Sequence, residues 1–294
     1  MSFTSDIKTE LTKAPAGCDA CYLAECLGIL LYSNKLAVDG IRVVTRSSVV
    51  RRHILDLFYE TFGFRPTEAE DGAILIRQPD NIGRVFDSFG FERKNSSISL
   101  NFGLLEEDCC RQAFFRGAFL TGGSVSAGTS GYHLELVTSH FSITKQANYL
   151  LTDMGYPMAM TNRRGNYLLY SKDSAVIEDF LSALGATQAA MNLMLAKVER
   201  EMSNNINRKV NCDVANLSKT IEAAARQVEA IRRLQRTGKL DKLSAPLRET
   251  ANLRLNHPEM SLSELMPLFS EPVSRPGLNN RLRKLVQLAA EEEV

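Results

Sequence analysis

The sequence predicts an α+β N-terminal body built from two copies of one αββαββα unit, followed by an all-α C-terminal domain. Three observations carry this reading. A set of landmarks recurs in the same order about ninety residues apart. Short β-branched runs and glycine turns alternate with stretches of helical periodicity. The charge balance changes sign near residue 197: residues 1–196 hold 18 Lys/Arg against 21 Asp/Glu, and residues 197–290 hold 17 against 10.

Gly28 recurs as Gly117, Phe62-Gly63-Phe64 as Met154-Gly155-Tyr156, and Phe89-Gly90-Phe91 as Leu184-Gly185-Ala186. VVTRS from Val43 answers LVTSH from Leu136, and AILIR (73–77) answers YLLYS (167–171). In the first copy the helix AECLGILLYSN (24–34) leads to a β-branched strand at 41–46. A helix-periodic stretch at 52–62, a turn at Asp71-Gly72 and a second such stretch at 82–89 follow. The second copy repeats this: helix FFRGAFLTGG (114–123), strand 134–139, helix 145–154, turn Arg164-Gly165-Asn166 and helix 175–184. The copies are assigned to 1–102, with an extra N-terminal helix, and to 103–190. Gly28 and Gly117 lack a Cβ and let two helices approach closely, with Ala118, Thr121, Gly122 and Gly123 extending a small-residue face. Glu106, Glu107 and Asp108 place negative charge at the start of the second helix, where the helix dipole favours it.

These paired helices resemble the motif helices of the LAGLIDADG homing endonucleases, over roughly residues 20–190. The resemblance implies a LAGLIDADG-like saddle in which the two helices cross at the interface of the copies. It also implies that each motif should end in an acidic residue holding a catalytic metal, because phosphodiester hydrolysis needs carboxylates to gather divalent ions. Ser33 and Gly122 occupy those positions. Glu25 precedes Ser33 by more than two helical turns, about 12 Å, and cannot replace the missing acid. No catalytic residue is therefore assigned, and a metal-dependent nuclease is the disfavoured alternative.

Other site chemistry is thin. Cys18-Asp-Ala-Cys21 is a lone CxxC, and Cys109-Cys110 is adjacent rather than spaced like a zinc knuckle, so no metal and no cofactor is assigned. His53, His133, His140 and His257 show no ligand spacing or triad partners, and no phosphate-binding glycine motif is present. Apolar content of 44%, charged content of 23%, the lack of a leader-like or membrane-length apolar run, and six cysteines point to a soluble cytoplasmic protein.

Residues 191–242 read as helical with an asparagine-rich linker at SNNINRKVNCD (203–213). Met191, Leu195, Val198 and Met202, and then Leu217, Ile221, Ala224, Val228 and Ile231, form apolar stripes expected to pack, with a dimer seam as the lesser option. Within 243–294, Ser244 can cap a helix over 245–256, Ser261 and Glu264 form a capping box, and Ser274 caps a third helix with Pro276 in its first turn. Leu278, Leu282, Leu285 and Ala289 form its core stripe. Pro267 should shorten or kink the second helix.

Short helix, tight turn and basic third helix resemble a helix-turn-helix DNA-binding domain, whose third helix enters the major groove. The residues read as DNA-contacting are Ser274, Arg275, Asn279, Asn280, Arg281, Arg283 and Lys284. Arginine can bond guanine bidentately, asparagine can bond adenine, and the remaining cations neutralise phosphates. Arg42 and Arg46 leave a secondary contact open on the N-terminal body.

The combination of degenerate saddle, FRGAFLTGG, NRKVNCDVAN and the terminal SRPGLNNRLRKL resembles the WhiA family. The resemblance implies a bacterial DNA-binding protein of mainly Gram-positive lineages, linked to cell division, the cell cycle, chromosome organisation and, in some hosts, sporulation. It implies transcription regulation and nucleoid association, with double-stranded DNA and a regulatory protein as partners and neither a membrane nor a small-molecule substrate. The iron–sulfur partner of some members belongs to certain lineages and does not carry over. A protein scaffold with incidental DNA affinity is the alternative.

Overall fold

The computed structural model describes residues 2–92, 98–128 and 131–291. Its contacts divide the chain into two units, Met1–Val198 and Glu199–Val294.

In the first unit, α1 (Phe3–Leu11) is capped by the Ser2 hydroxyl, which accepts the Ser5 N–H. The chain then runs through α2 (Ala20–Leu31), β1 (Lys35–Ala37), β2 (Gly40–Val43), α3 (Ser48–Phe62), β3 (Thr67–Glu68), β4 (Ile74–Ile76) and α4 (Pro79–Phe89). It repeats the same order in α5 (Asp108–Gly122), β5 (Gly123–Gly128), β6 (Gly131–Thr138), α6 (Phe141–Asp153), β7 (Ala159–Arg163), β8 (Asn166–Ser171) and α7 (Ser174–Leu184). Each pass builds one antiparallel four-stranded sheet, β1-β2-β4-β3 and β5-β6-β8-β7. The shared strand order confirms the duplication read from the landmarks. Two of those landmarks, Gly63 and Gly90, end α3 and α4 with φ of 72° and 69°, a left-handed cap that glycine adopts without strain.

β6 shows why these residues form a strand. Tyr132, Leu134, Leu136 and Thr138 are buried in alternation with partly exposed neighbours, the period-2 pattern of a sheet with one face on the core. The core itself is aromatic. Phe58, Phe89, Phe114, Phe115, Phe119 and Phe180 are almost wholly buried, and Phe114 meets Phe115 edge-to-face at 4.9 Å.

α2 and α5 cross at closest range through the two recurring glycines. A Cβ on Gly28 would lie 2.0 Å from the Phe114 carbonyl oxygen, and one on Gly117 would lie 2.1 Å from that of Glu25. The contacts are reciprocal: Gly28 also faces Ala118 N, and Gly117 faces Ile29 N. The two halves of the crossing are thus related by the repeat itself. Thr121 Oγ1 stands 3.4 Å from the Ile29 carbonyl, and Thr138 Oγ1 donates to that of Leu31 at 2.7 Å.

α8 (Thr187–Arg236) spans both units. Its first-turn N–H groups on Gln188 and Ala189 donate to the Glu10 carboxylate at 2.7 and 3.0 Å. The helix continues through 203–213, where the sequence reading expected a break. Residues 187–236 contain no glycine or proline, and asparagine costs a helix only a few tenths of a kcal/mol, so nothing there stops it. A second expectation also fails in part: Met191, Leu195, Val198, Met202, Leu217 and Ile221 are exposed, while Ala224, Val228 and Ile231 are buried.

In the second unit the end of α8 leads through a 3₁₀ turn (Leu240–Lys242) to α9 (Ala245–Asn256), α10 (Leu262–Leu265), another 3₁₀ turn (Met266–Leu268) and α11 (Arg275–Ala290). Ile231, Leu234, Leu247, Ala251, Leu265, Leu278, Leu282 and Leu285 form its core. No helix among the described residues is long and apolar enough to cross a membrane.

Candidate nucleic-acid interface

α10 begins with a capping box. Glu264 N–H donates to the Ser261 hydroxyl at 3.3 Å, and Ser261 N–H donates to the Glu264 carboxylate at 2.7 Å. That bond holds the Glu264 carboxyl below its ordinary range. Pro267 confines α10 to a single turn, which tightens into the 3₁₀ segment, as its fixed φ and missing N–H require. The chain then turns at 270–273. Ser270 N–H donates to the Glu249 carboxylate of α9 at 2.8 Å, lowering the Glu249 pKa and fixing the turn against α9.

α11 starts at Ser274, whose hydroxyl accepts the Gly277 N–H at 3.2 Å. Leu278, Leu282, Leu285 and Ala289 bury one face. At about 100° per residue the opposite face must carry Pro276, Asn280, Arg283, Lys284 and Gln287. Ser274, Arg275, Asn279, Asn280, Arg283 and Lys284 are exposed there and along its border. Arg281 differs from them. It lies on the flank, half-buried, with its guanidinium 5.9 Å from the Phe269 ring centroid. The sequence pattern grouped Arg281 with the others because helical periodicity records angle and not the neighbouring turn that brings Phe269 against it.

The ends of α2 and α5, where a nuclease of the resembled kind would hold metal, carry Ser33 and Gly122 in place of acids. The Ser33 hydroxyl donates to the Leu30 carbonyl at 2.6 Å, and its residue is buried. A Cβ on Gly122 would lie 2.4 Å from the Val137 carbonyl oxygen and 2.9 Å from Tyr32 Cδ1, leaving no space for a carboxylate. Glu25 is committed elsewhere: buried with Arg116, it accepts Arg116 Nε at 2.8 Å and pairs with Nε2 of the half-buried His53 at 2.7 Å. The periodicity search passed over Arg116 and His53 as partners of Glu25. Only the crossing of α2 and α5 brings Glu25 and Arg116 together across 91 positions. Arg42 is paired with Asp71. The two cysteine pairs, separate in sequence, meet: Cys18, Cys21, Cys109 and Cys110 place their sulfurs within 4.8 Å of one another.

A duplicated LAGLIDADG-like body without its acids, joined to a helix-turn-helix unit, defines a class of degenerate endonuclease folds carrying a nucleic-acid-binding module. Residues 111–203 match the WhiA LAGLIDADG-like domain and residues 206–289 the WhiA C-terminal HTH domain. The chain is 33% identical over 308 residues to the probable cell division protein WhiA of Desulforamulus reducens, covering 98% of this chain and 95% of that one. It is 34% identical over 306 residues to the probable cell division protein WhiA of Heliobacterium modesticaldum, covering 98% and 96%. The crystal structure of full-length WhiA from Thermatoga maritima shares the fold, with a TM-score of 0.61 at 23% identity over 99% of both chains. The chain belongs to the WhiA family.

Proposed function

We propose that this protein is a non-enzymatic, DNA-binding regulator of cell division that grips duplex DNA through α11 and works at the nucleoid. One observation carries the reading: six of the seven candidate residues stand exposed on a helix whose other face is core, directly after a tight, capped turn. Arg275, Asn279 and Asn280 occupy the first turns, the part of a recognition helix that meets base edges, and Arg283 and Lys284 are placed for phosphates. The N-terminal unit serves as an inactive scaffold. Its helix ends offer a buried hydroxyl and a glycine in place of metal-binding acids, and its relatives are named as cell division proteins.

The test replaces Arg275, Arg283 and Lys284 together by alanine in the full chain and reads duplex binding by fluorescence anisotropy. Each lost contact should weaken binding by roughly tenfold or more, with the melting temperature held. Unchanged affinity in the folded variant contradicts the assignment and favours a protein scaffold, which keeps its cellular function without these cations.

A further inference from the structure

Four thiols meet where α2 and α5 begin. Cys18 lies two residues before the start of α2, Cys21 lies in its first turn, and Cys109 and Cys110 lie in the first turn of α5. The Cys18 sulfur is 3.6 Å from each of the other three, and all four lie within 4.8 Å of one another. A tetrahedral ion with metal–sulfur bonds near 2.3 Å sets its ligands about 3.8 Å apart, so the cluster already has the spacing of a single tetrathiolate ion. Polynuclear iron–sulfur clusters attach their cysteines to different irons and need a wider frame.

The surroundings are fitted to the cluster. Gly17 carries the backbone directly over Cys109, where a Cβ would lie 2.6 Å from Cys109 Cβ and 3.2 Å from its sulfur. Cys21 and Cys110 are buried, and Cys18 opens the site to solvent. Neither α2 nor α5 has a side-chain cap at its start, and both helix dipoles point their positive ends at the thiols and offset thiolate charge. Four protein ligands leave no open position, which is the pattern of a structural site and not of a catalytic one.

We propose that Cys18, Cys21, Cys109 and Cys110 bind one zinc ion that clamps the first turns of α2 and α5, tying the two repeats together at the end of the crossing opposite Ser33 and Gly122. Binding converts the four thiols to thiolates and releases their protons to solvent, so occupancy falls as pH is lowered. The ion substitutes here for the capping side chains that both helices lack.

The full chain, purified in reductant without chelator, should carry about one zinc per chain by mass spectrometry of the metals. The Cys18→Ser/Cys109→Ser variant should lose it, while Cys212→Ser, outside the cluster, should keep it. Should the double variant fail to fold, the wild-type protein still decides. After chelation and cobalt loading it should show thiolate-to-cobalt charge transfer and the intense visible bands of a tetrahedral site, and the chelated form should melt at a lower temperature. Metal-free protein without those cobalt bands overturns the proposal. So does iron as the resident metal, or an intact mass showing a disulfide among these cysteines in freshly isolated protein.

Discussion

The two units differ in where most of their functional-looking charges lie. In Met1–Val198 the Glu25–Arg116 pair is buried at the α2–α5 crossing with half-buried His53 on Glu25's other side, and the helix ends carry Ser33 and Gly122. In Glu199–Val294 the hydrogen bonds of Ser261, Glu264, Ser270 and Glu249 fix a turn, one cation, Arg254, is buried and donates to the Met260 carbonyl, and Arg275, Arg283 and Lys284 of α11 remain at the surface. The first arrangement commits its central charges to one another. The second leaves a basic helix face exposed behind a fixed turn. A chain whose overall charge is only +1 can therefore carry a basic surface, because the balance is set unit by unit.

The largest effect should come from breaking the inward-facing unit at its closest approach. Gly117→Val requires a side chain where Glu25 O lies 2.1 Å from an ideal Cβ, and backbone cannot give way as a flexible side chain does. A loss of about 4 kcal/mol or more is expected in urea unfolding, enough to leave the unit largely unfolded. A smaller loss would mean that the helices can part, and that the crossing is less rigid than the comparison holds.

Next comes the buried charge. Arg116→Met strands the Glu25 carboxylate with only His53 beside it and should cost about 3–5 kcal/mol. Combining it with Glu25→Leu should recover much of that, since an apolar pair of similar volume removes the stranded charge. A double variant no more stable than the single would show that the pair contributes through more than mutual neutralisation.

In the other unit the effects are gentler. Ser261→Ala removes one half of the capping box and should cost about 1 kcal/mol. Its DNA affinity should fall only as far as the turn loosens, which separates the frame of the site from the groups proposed to touch DNA.

Much of this was legible in the sequence, and the parts that were not share a physical cause. The duplication, the Gly28–Gly117 contact and the Leu278–Leu282–Leu285 stripe are periodic or repeated, so local pattern reveals them. The continuity of α8 was hidden by its asparagines, which suggest turns, although the absence of glycine and proline over 187–236 was the stronger signal. The exposure of Met202, Leu217 and Ile221 was invisible because a stripe records amphipathicity and not whether a neighbour covers it. The Glu25–Arg116 pair and the Cys18–Cys110 approach span 91 and 92 positions. Both depend on which side chains the helix crossing brings face to face, and the repeat that reveals the crossing does not specify those.

The most direct test of the division of labour measures duplex binding by the full chain and by residues 1–198 across a salt series. The full chain should bind with an affinity that falls steeply as salt rises, the mark of phosphate neutralisation, and the N-terminal unit should bind far more weakly. Equal affinity and equal salt dependence for the two would place the DNA surface on the N-terminal unit and contradict the account.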